Sequence, residues 1–383
     1  VQILFWAFAG IIIYVYVGYP LALASGLLAP RVWRRAGEDP GGFELPSISV
    51  IVAAHNEEAA IEAKIKNLLA ADYPRELVEI LIGSDGSSDG TEEIVRRYAA
   101  EGVGLISFPM QQGKSAMQNG LVAASSGDVL VFTDADCEID AQALRALVAR
   151  FGDASVGLVT ACPSYANVAE NAVTENEGIY LRYESWLRGQ ESDRGILAMA
   201  SGSLFAIRRS LWQPLDRNLG DDFELPLHVA AAGLQNVAEP SAVVTTRLSQ
   251  NDHGSMFALK VRIVSKDFRA LRKYSSLLNP FRYFGFALAL WSHKLLRWLV
   301  PYFLLGMLGC GALLMRLSFY RAFVLGLLAF FAVAAVGSLL GNRKLGLPWS
   351  VPASFCTVNL AAFFGILKSF GGRGSGSWTP IRN

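Results

Sequence analysis

From Val1 to Ala29 the chain carries no charged residue, and Arg31, Arg34 and Arg35 follow at once. That run exceeds the roughly 20 apolar residues that a helix needs to cross a hydrocarbon core. A cleaved signal peptide would place its basic residues ahead of the apolar run, and here they come after it. Residues 1–30 are therefore expected to form a transmembrane anchor whose basic end faces the cytoplasm. Two further spans are expected at about 295–315 and about 322–340. Lys294 and Arg297 would mark the cytoplasmic start of the first, Arg343 and Lys344 the cytoplasmic end of the second. A last apolar stretch, about 351–367, is short, contains Asn359 and is followed by Lys368 and Arg373. It either spans or re-enters, and the charges favour re-entry.

Between these ends lies a chain of different character. The whole sequence of 383 residues is 52% hydrophobic but only 17% charged, against roughly 25% charged in soluble domains. That deficit belongs to the ends and leaves an aqueous domain over residues 31–251. A net charge of +1 supplies no basic field for nucleic acid. Cys137, Cys162, Cys310 and Cys356 contain no Cys-x-x-Cys pair, which excludes a disulfide-framed secreted domain and a zinc ribbon. Two to four spans leave little room for the paired repeats of a transporter.

Residues 252–293 join the two parts. Phe257, Val261, Val264, Phe268 and Leu271 recur at helical spacing, while Lys260, Arg262, Lys266, Arg269, Arg272 and Lys273 fill the other face. Such a basic amphipathic helix beside a membrane segment reads as lying in the headgroup layer. The alternative is a surface helix of the aqueous domain.

Within that domain, strand-like and helical patterns alternate. Strands are expected at Ile48–Ala53, Val78–Ile82 and Val129–Phe132, and a helix with Ile61, Ile65, Leu68 and Leu69 on its inner side. Asp89, with Glu92 three residues on, is expected to cap a second helix that buries Ile94, Val95 and Tyr98. The rhythm implies an α/β fold with a mostly parallel sheet, whose ligands bind beyond the carboxyl ends of the strands. The polar loops fall there: Ala53-Ala54-His55-Asn56-Glu57-Glu58, Gly83-Ser84-Asp85-Gly86-Ser87-Ser88-Asp89-Gly90, and Thr133-Asp134-Ala135-Asp136. Alone, Asp134 and Asp136 would read as a solvated acidic turn. On a rim shared with two other acidic loops, they can offer carboxylates to a hard divalent cation and its bound phosphates.

Taken in order, Ala-x-Asn-Glu-Glu, Ser-Asp-Gly-Ser-Ser-Asp-Gly-Thr, Gly-Lys-Ser-Ala-x-x-Asn-Gly, Thr-Asp-Ala-Asp and Gly-Asp-Asp-Phe-Glu-Leu resemble the family 2 glycosyltransferases. The likeness is to their membrane-embedded members, the hyaluronan, chitin and cellulose synthase-like enzymes and bacterial exopolysaccharide transferases. It implies a GT-A fold, a UDP-sugar donor and Mn²⁺ or Mg²⁺. By the same resemblance Ala53, Asn56 and Glu57 would line the nucleotide pocket, and Asp85 would hydrogen-bond the base. Lys114 would lie near uracil or diphosphate, and Asp134 and Asp136 would serve the sugar side and the metal. Ser201 and Gly202 would underlie the acceptor, and Asp222, beside Asp221, would be the general base of an inverting transfer. Read without the family, Asp221 and Asp222 could be a helix N-cap pair and Lys114 a solvated turn lysine.

The sequence departs from the family at several points. In place of the processive members' Gln-x-x-Arg-Trp stand Leu259-Lys260-Val261-Arg262-Ile263. Arg262 remains as a diphosphate or acceptor contact, but no indole is left for an acceptor sugar to stack on. Ser84 replaces a first Asp, and His55, where relatives have Tyr, reads as a pocket wall. Trp378 in the 371–383 tail resembles a C-terminal Trp-x-x-x-Arg ending that folds over the site. The expected protein is a multi-pass enzyme of a bacterial-type inner membrane with its catalytic domain in the cytoplasm. Its acceptor would be a polysaccharide or a lipid-linked sugar, and a homo-oligomer or a secretion partner could complete an export path. An idle nucleotide-sugar sensor or scaffold is the competing class.

Overall fold

A computed structural model describes residues 1–27, 44–166, 172–247, 253–339 and 347–371. The aqueous domain is built on the strands β1 (Ile48–Ala54), β2 (Val78–Asp85), β3 (Val103–Phe108), β4 (Val129–Thr133), β5 (Glu138–Ile139), β6 (Val156–Tyr165), β7 (Leu204–Arg208) and β8 (Gln235–Thr246). They form one sheet in the order β3-β2-β1-β4-β7-β6-β8-β5. The first four run parallel, with Ile51 of β1 level with Leu81 of β2 and Phe132 of β4. β7 then turns the sheet antiparallel, and β8 runs parallel to β6. All seven residues of β1 are buried, as expected of a central parallel strand covered on both faces.

Helices supply the two covers. Ile61–Leu69, Thr91–Arg97 and Ala143–Ala149 pack with Val50, Val52 and Ile80 on one face. Lys114–Ala124 and Asp221–Ala231 pack with Ile51, Phe132 and Phe205 on the other. The expected strands and the first helix are present. The second helix differs at its start: Gly90 is the N-cap residue, and Asp89 accepts the Thr91 N–H at 3.1 Å from one position earlier. Glu92 makes no capping box, because its carboxylate pairs with Arg96.

Among the described residues four helices are long and apolar enough to cross a membrane: Gln2–Ala24, Phe284–Leu313, Ser318–Leu339 and Pro348–Phe370. The second begins well before the expected 295, so Lys294 and Arg297 lie inside a helix rather than at its start. Their charges are covered by the aqueous domain: Arg297 Nη1 donates to Glu184 at 2.9 Å, and the Lys294 ammonium lies 5.7 Å from the Phe223 ring centre. The last segment is longer than the sequence suggests, 24 residues from Leu347 to Phe370. Asn359 is no obstacle there, because its Nδ2 donates to the Phe355 carbonyl one turn back at 2.8 Å. The flanking Arg31, Arg34, Arg35, Arg343, Lys344 and Arg373 lie outside the described residues.

The amphipathic stretch is a helix, His253–Lys273. Its apolar face is covered by protein: Phe257 meets Phe364 edge-on, and Phe268 packs on Trp298 and Phe370. Val264 lies so close to the last helix that a methyl group at Gly365 would stand 2.8 Å from its Cβ.

Candidate active site

The site is assembled from strand ends. Beyond β1 the chain turns at Asn56, whose φ of 56° is the left-handed conformation that Asn tolerates better than most residues. The turn locks the first polar loop to the second. Asn56 N–H donates to Ser87 Oγ at 3.0 Å, Asn56 Oδ1 accepts from Ser88 N–H at 2.7 Å, and Glu57 N–H donates to Thr91 Oγ1 at 2.8 Å. Ala53 is buried and level with Gly83 on β2. Asn56 thus acts first as a loop brace, and its carboxamide oxygen is committed to backbone. His55 does the same, with Nδ1 at 2.7 Å from the Asp85 carbonyl.

Asp85, at the end of β2, is fully buried. Its Oδ1 accepts the Gln112 N–H at 2.7 Å and its Oδ2 the Gly113 N–H at 2.8 Å. Before any contact with a base, then, this carboxylate pins the loop that presents Lys114. Next to it, Gly86 has φ +68° and a methyl there would lie 2.6 Å from Gln111 N, so only glycine fits.

Lys114 opens the helix Lys114–Ala124, and its Nζ stands 2.9 Å from Asp134 Oδ1 and 3.3 Å from Asp221 Oδ2. Burial disfavours its charge, but Asp134, Asp221 and Asp222 outweigh that and raise its pKa, so the ammonium is held protonated. It is a clamp between two loops and not a solvated turn lysine. Beyond β4, Asp134 is half-buried and Asp136 stands exposed on the rim. Lost solvation around it, and then the neighbouring Asp134, push the Asp136 carboxyl up. Among the described residues no group of three or more His, Cys, Asp or Glu could hold a metal. The Asp134–Asp136 pair nonetheless fits a hard cation that takes one or two protein carboxylates and completes its shell with substrate phosphates.

Asp221 and Asp222 are the first two residues of the helix Asp221–Ala231, and Gly220 is its N-cap. Neither carboxylate caps, so both are available to the site. Asp221 Oδ2 accepts from Gln118 Nε2 at 2.7 Å. Burial would raise its pKa, but Lys114 and Gln118 prevail and lower it. Asp222 is pushed up to about 6 by burial and by Asp221, with Lys114, Lys294 and Arg188 pulling the other way. Two adjacent carboxylates are thus set apart, one firmly ionised and one poised to take a proton near neutrality.

Ser201 and Gly202 lie on the loop that leads into β7. A methyl at Gly202 would lie 4.0 Å from both Asp134 Oδ2 and Asp222 Oδ2, so this glycine stands between the two carboxylates. The loop is held by Ser201 N–H, which donates to Thr160 Oγ1 at 2.7 Å. It is also tied to the helix Asp221–Ala231 through Pro226. Proline has no N–H to offer the carbonyl four residues back, and that carbonyl, of Asp222, accepts instead from Ala200 N–H at 2.8 Å.

The helix His253–Lys273 brings Arg262 half-buried, and burial lowers its pKa. Lys266, one turn on, faces Asp221 and Asp222. The sequence assigns no site role to Gln118, Lys266, Asp267 or Lys294, and reads Lys266 and Lys294 only as charges beside the membrane segments. The spacing of four from Arg262 could have signalled Lys266; Asp267 and Lys294 belong to no motif. Trp378 lies outside the described residues.

Comparison with known proteins agrees with this geometry. Residues 49–214 match the family model described as Glycosyl transferase family 2. The chain is 32% identical over 212 residues to the probable glycosyltransferase YdaM of Bacillus subtilis, covering 52% of this chain and 50% of that protein. It is 31% identical over 169 residues to the beta-monoglucosyldiacylglycerol synthase of Trichormus variabilis, covering 43% of this chain and 36% of that one. It therefore spans half or less of the length of these relatives. Among solved structures, the mannosyltransferase PcManGT from Pyrobaculum calidifontis, in complex with GDP-Man and Mn²⁺, shares the fold at a TM-score of 0.71 and 21% identity, over 96% of this chain and 98% of that one. With these motifs on the ends of this mixed α/β sheet, residues 49–214 place in the chain a family 2 glycosyltransferase domain of GT-A fold.

Proposed function

We propose that the protein is an inverting glycosyltransferase that moves a sugar from a nucleoside-diphosphate sugar, a UDP-sugar in the first instance, to a membrane-associated acceptor of exopolysaccharide or other cell-surface glycan synthesis. The observation that carries this reading is Asp222, a half-buried carboxylate poised near pH 6 that faces Asp134 across Gly202.

In this mechanism Asp222 takes the proton of the acceptor hydroxyl as that oxygen bonds to the anomeric carbon. The bond from that carbon to the diphosphate breaks, and its electron pair leaves with the nucleotide. Attack from the face opposite the leaving group inverts the anomeric centre. Asp134 and Asp136 would hold Mn²⁺ or Mg²⁺, which when bound neutralises charge on the departing diphosphate. Lys114, Arg262 and Lys266 supply fixed positive charge around the same anion. Asp221, held ionised by Lys114 and Gln118, keeps the proton off itself and on Asp222. The four apolar helices support a multi-pass membrane protein, with the catalytic domain on the cytoplasmic side where nucleotide sugars are made.

A second reading is single transfer to a lipid-linked acceptor. It is favoured by Ile263, which stands 40% exposed where processive relatives carry the stacking indole. A ladder of products would decide for a polymerase, one added sugar for the lipid transferase.

The test is nucleotide release by the purified protein in detergent, from UDP-glucose, UDP-N-acetylglucosamine and GDP-mannose, with Mn²⁺ and with chelator. Turnover is expected with metal only. Asp222→Asn is expected to lower kcat by about 10²–10⁴-fold, the usual worth of a general base, while donor binding persists. Unchanged turnover in that variant overturns the base assignment, and donor binding without turnover in the wild type favours the idle sensor.

A further inference from the structure

One acid at the centre of the site comes from outside every motif. Asp267, on the helix His253–Lys273, is 3% exposed. A methyl group at Gly220 would lie 2.8 Å from Asp222 Oδ1 and 3.6 Å from Asp267 Oδ1. The two carboxyl groups therefore converge on the bare face of one glycine. Gly220 has φ −92° and ψ 130°, extended backbone that any residue adopts. Its missing side chain serves the space between the two acids and not the conformation of the chain.

We propose that Asp267 is a positioning residue for the transfer reaction, a carboxylic acid that donates a hydrogen bond to the carboxylate of Asp222 and aims the other oxygen of Asp222 at the acceptor hydroxyl. The inference rests on Asp222 being the base. It makes the helix next to the membrane segments part of the catalytic centre, joined to it by an acid as well as by Arg262 and Lys266.

The charges around the pair fit this division of labour. Asp267 is faced by Asp222 from the helix Asp221–Ala231, by Lys294 from the helix Phe284–Leu313 and by Lys266 from its own helix. Burial and the charge of Asp222 push it up to about 8 against the pull of Lys294 and Lys266. On Asp222, burial and Asp221 act upward, and Lys114, Lys294 and Arg188 downward, to about 6. Burial and the charge of Asp222 favour the proton on Asp267, which leaves Asp222 free to accept one. Below about pH 6 Asp222 is protonated as well and cannot accept the acceptor's proton. Above about pH 8 Asp267 loses its proton, the hydrogen bond is gone, and a second negative charge stands beside an anionic donor.

The pH dependence of kcat for nucleotide release, at saturating donor, tests this. The wild type is expected to rise through about pH 6 and fall through about pH 8. Asp267→Ala should lower kcat about tenfold, less than the roughly 10²–10⁴-fold that the base itself is worth, with donor KM changed by less than about twofold. Asp267→Asn should restore most of that loss, since a carboxamide donates the same hydrogen bond, and it should abolish the alkaline fall because it does not titrate. Gly220→Ala fills the space between the acids and should lower kcat without altering Asp267. It keeps the test open should the Asp267 variants fold poorly. An alkaline fall that persists in Asp267→Asn, or wild-type kcat in Asp267→Ala or in Gly220→Ala, overturns the role. Full activity of Asp222→Asn overturns the base assignment separately, and this role with it.

Discussion

At the scale of residues, the site depends on carboxylates that do different work in similar settings. Asp85 has both oxygens on backbone N–H groups of the loop before Lys114, at 2.7 and 2.8 Å. Asp85→Asn can accept only one of them, leaving a buried donor unsatisfied, so stability should fall by about 1–3 kcal/mol. A thermal melt in detergent checks this, and turnover should fall too as Lys114 loses its fixed position. Asp85 was legible as a site residue because the Ser-Asp-Gly run follows a strand. Its partners were not, since a carboxylate on backbone N–H groups leaves no mark in the side chains it binds. Asp221 and Asp222 show the same limit: adjacency alone would allow a capping pair, and only their surroundings, Lys114 and Gln118 for one, burial and Asp221 itself for the other, separate their protonation.

At the scale of elements, the helix His253–Lys273 was readable from its period, and its partner was not. An apolar stripe states that a face must be covered, and lipid and protein satisfy it alike. In the fold the cover includes the helix Leu347–Phe370, and the two helices meet closely at Gly365, where a methyl would stand 2.8 Å from Val264 Cβ and 3.1 Å from the Val261 carbonyl oxygen. Gly365→Leu should wedge the two helices apart, with an overpacking cost of about 1–3 kcal/mol. Because Arg262, Lys266 and Asp267 ride on the displaced helix, turnover should fall further than the loss of stability explains. Comparing kcat of the folded variant with its melting temperature measures this. The base helix is anchored to the same element, with Lys273 Nζ 2.8 Å from the buried Glu224.

At the scale of the molecule, a buried polar cluster joins membrane helices to the catalytic domain. Tyr19 Oη donates to Glu191 at 2.8 Å, and the His293 ring bridges Glu191 at 2.8 Å and Glu184 at 2.9 Å. Arg297 completes it on Glu184. Tyr19 belongs to the first apolar helix, the two glutamates to the helix Ala172–Ser192, and His293 and Arg297 to Phe284–Leu313. His293→Ala would remove the cation that Glu191 and Glu184 share, leaving Glu191 only the Tyr19 hydroxyl and Glu184 only Arg297. Breaking a buried pair in this way costs about 3–5 kcal/mol. The expected result is a lower melting temperature in detergent and loosened attachment of the first helix, seen as faster proteolysis of the aqueous domain from the membrane helices.

The sequence by itself determined the division into apolar ends and an α/β domain, the strands that carry the polar loops, and the residues that line the rim of the sheet. Each of these follows from local pattern, because hydrophobic period and strand-end placement are properties of short stretches of chain. Only the tertiary structure decided what those residues do to one another. Lys114, Asp134 and Asp221 meet from three separate segments, Asp222 and Asp267 approach across Gly220, and the charge of each depends on burial and on neighbours distant in the chain. Proton affinity is set by surroundings in space, and no local stretch of sequence contains them.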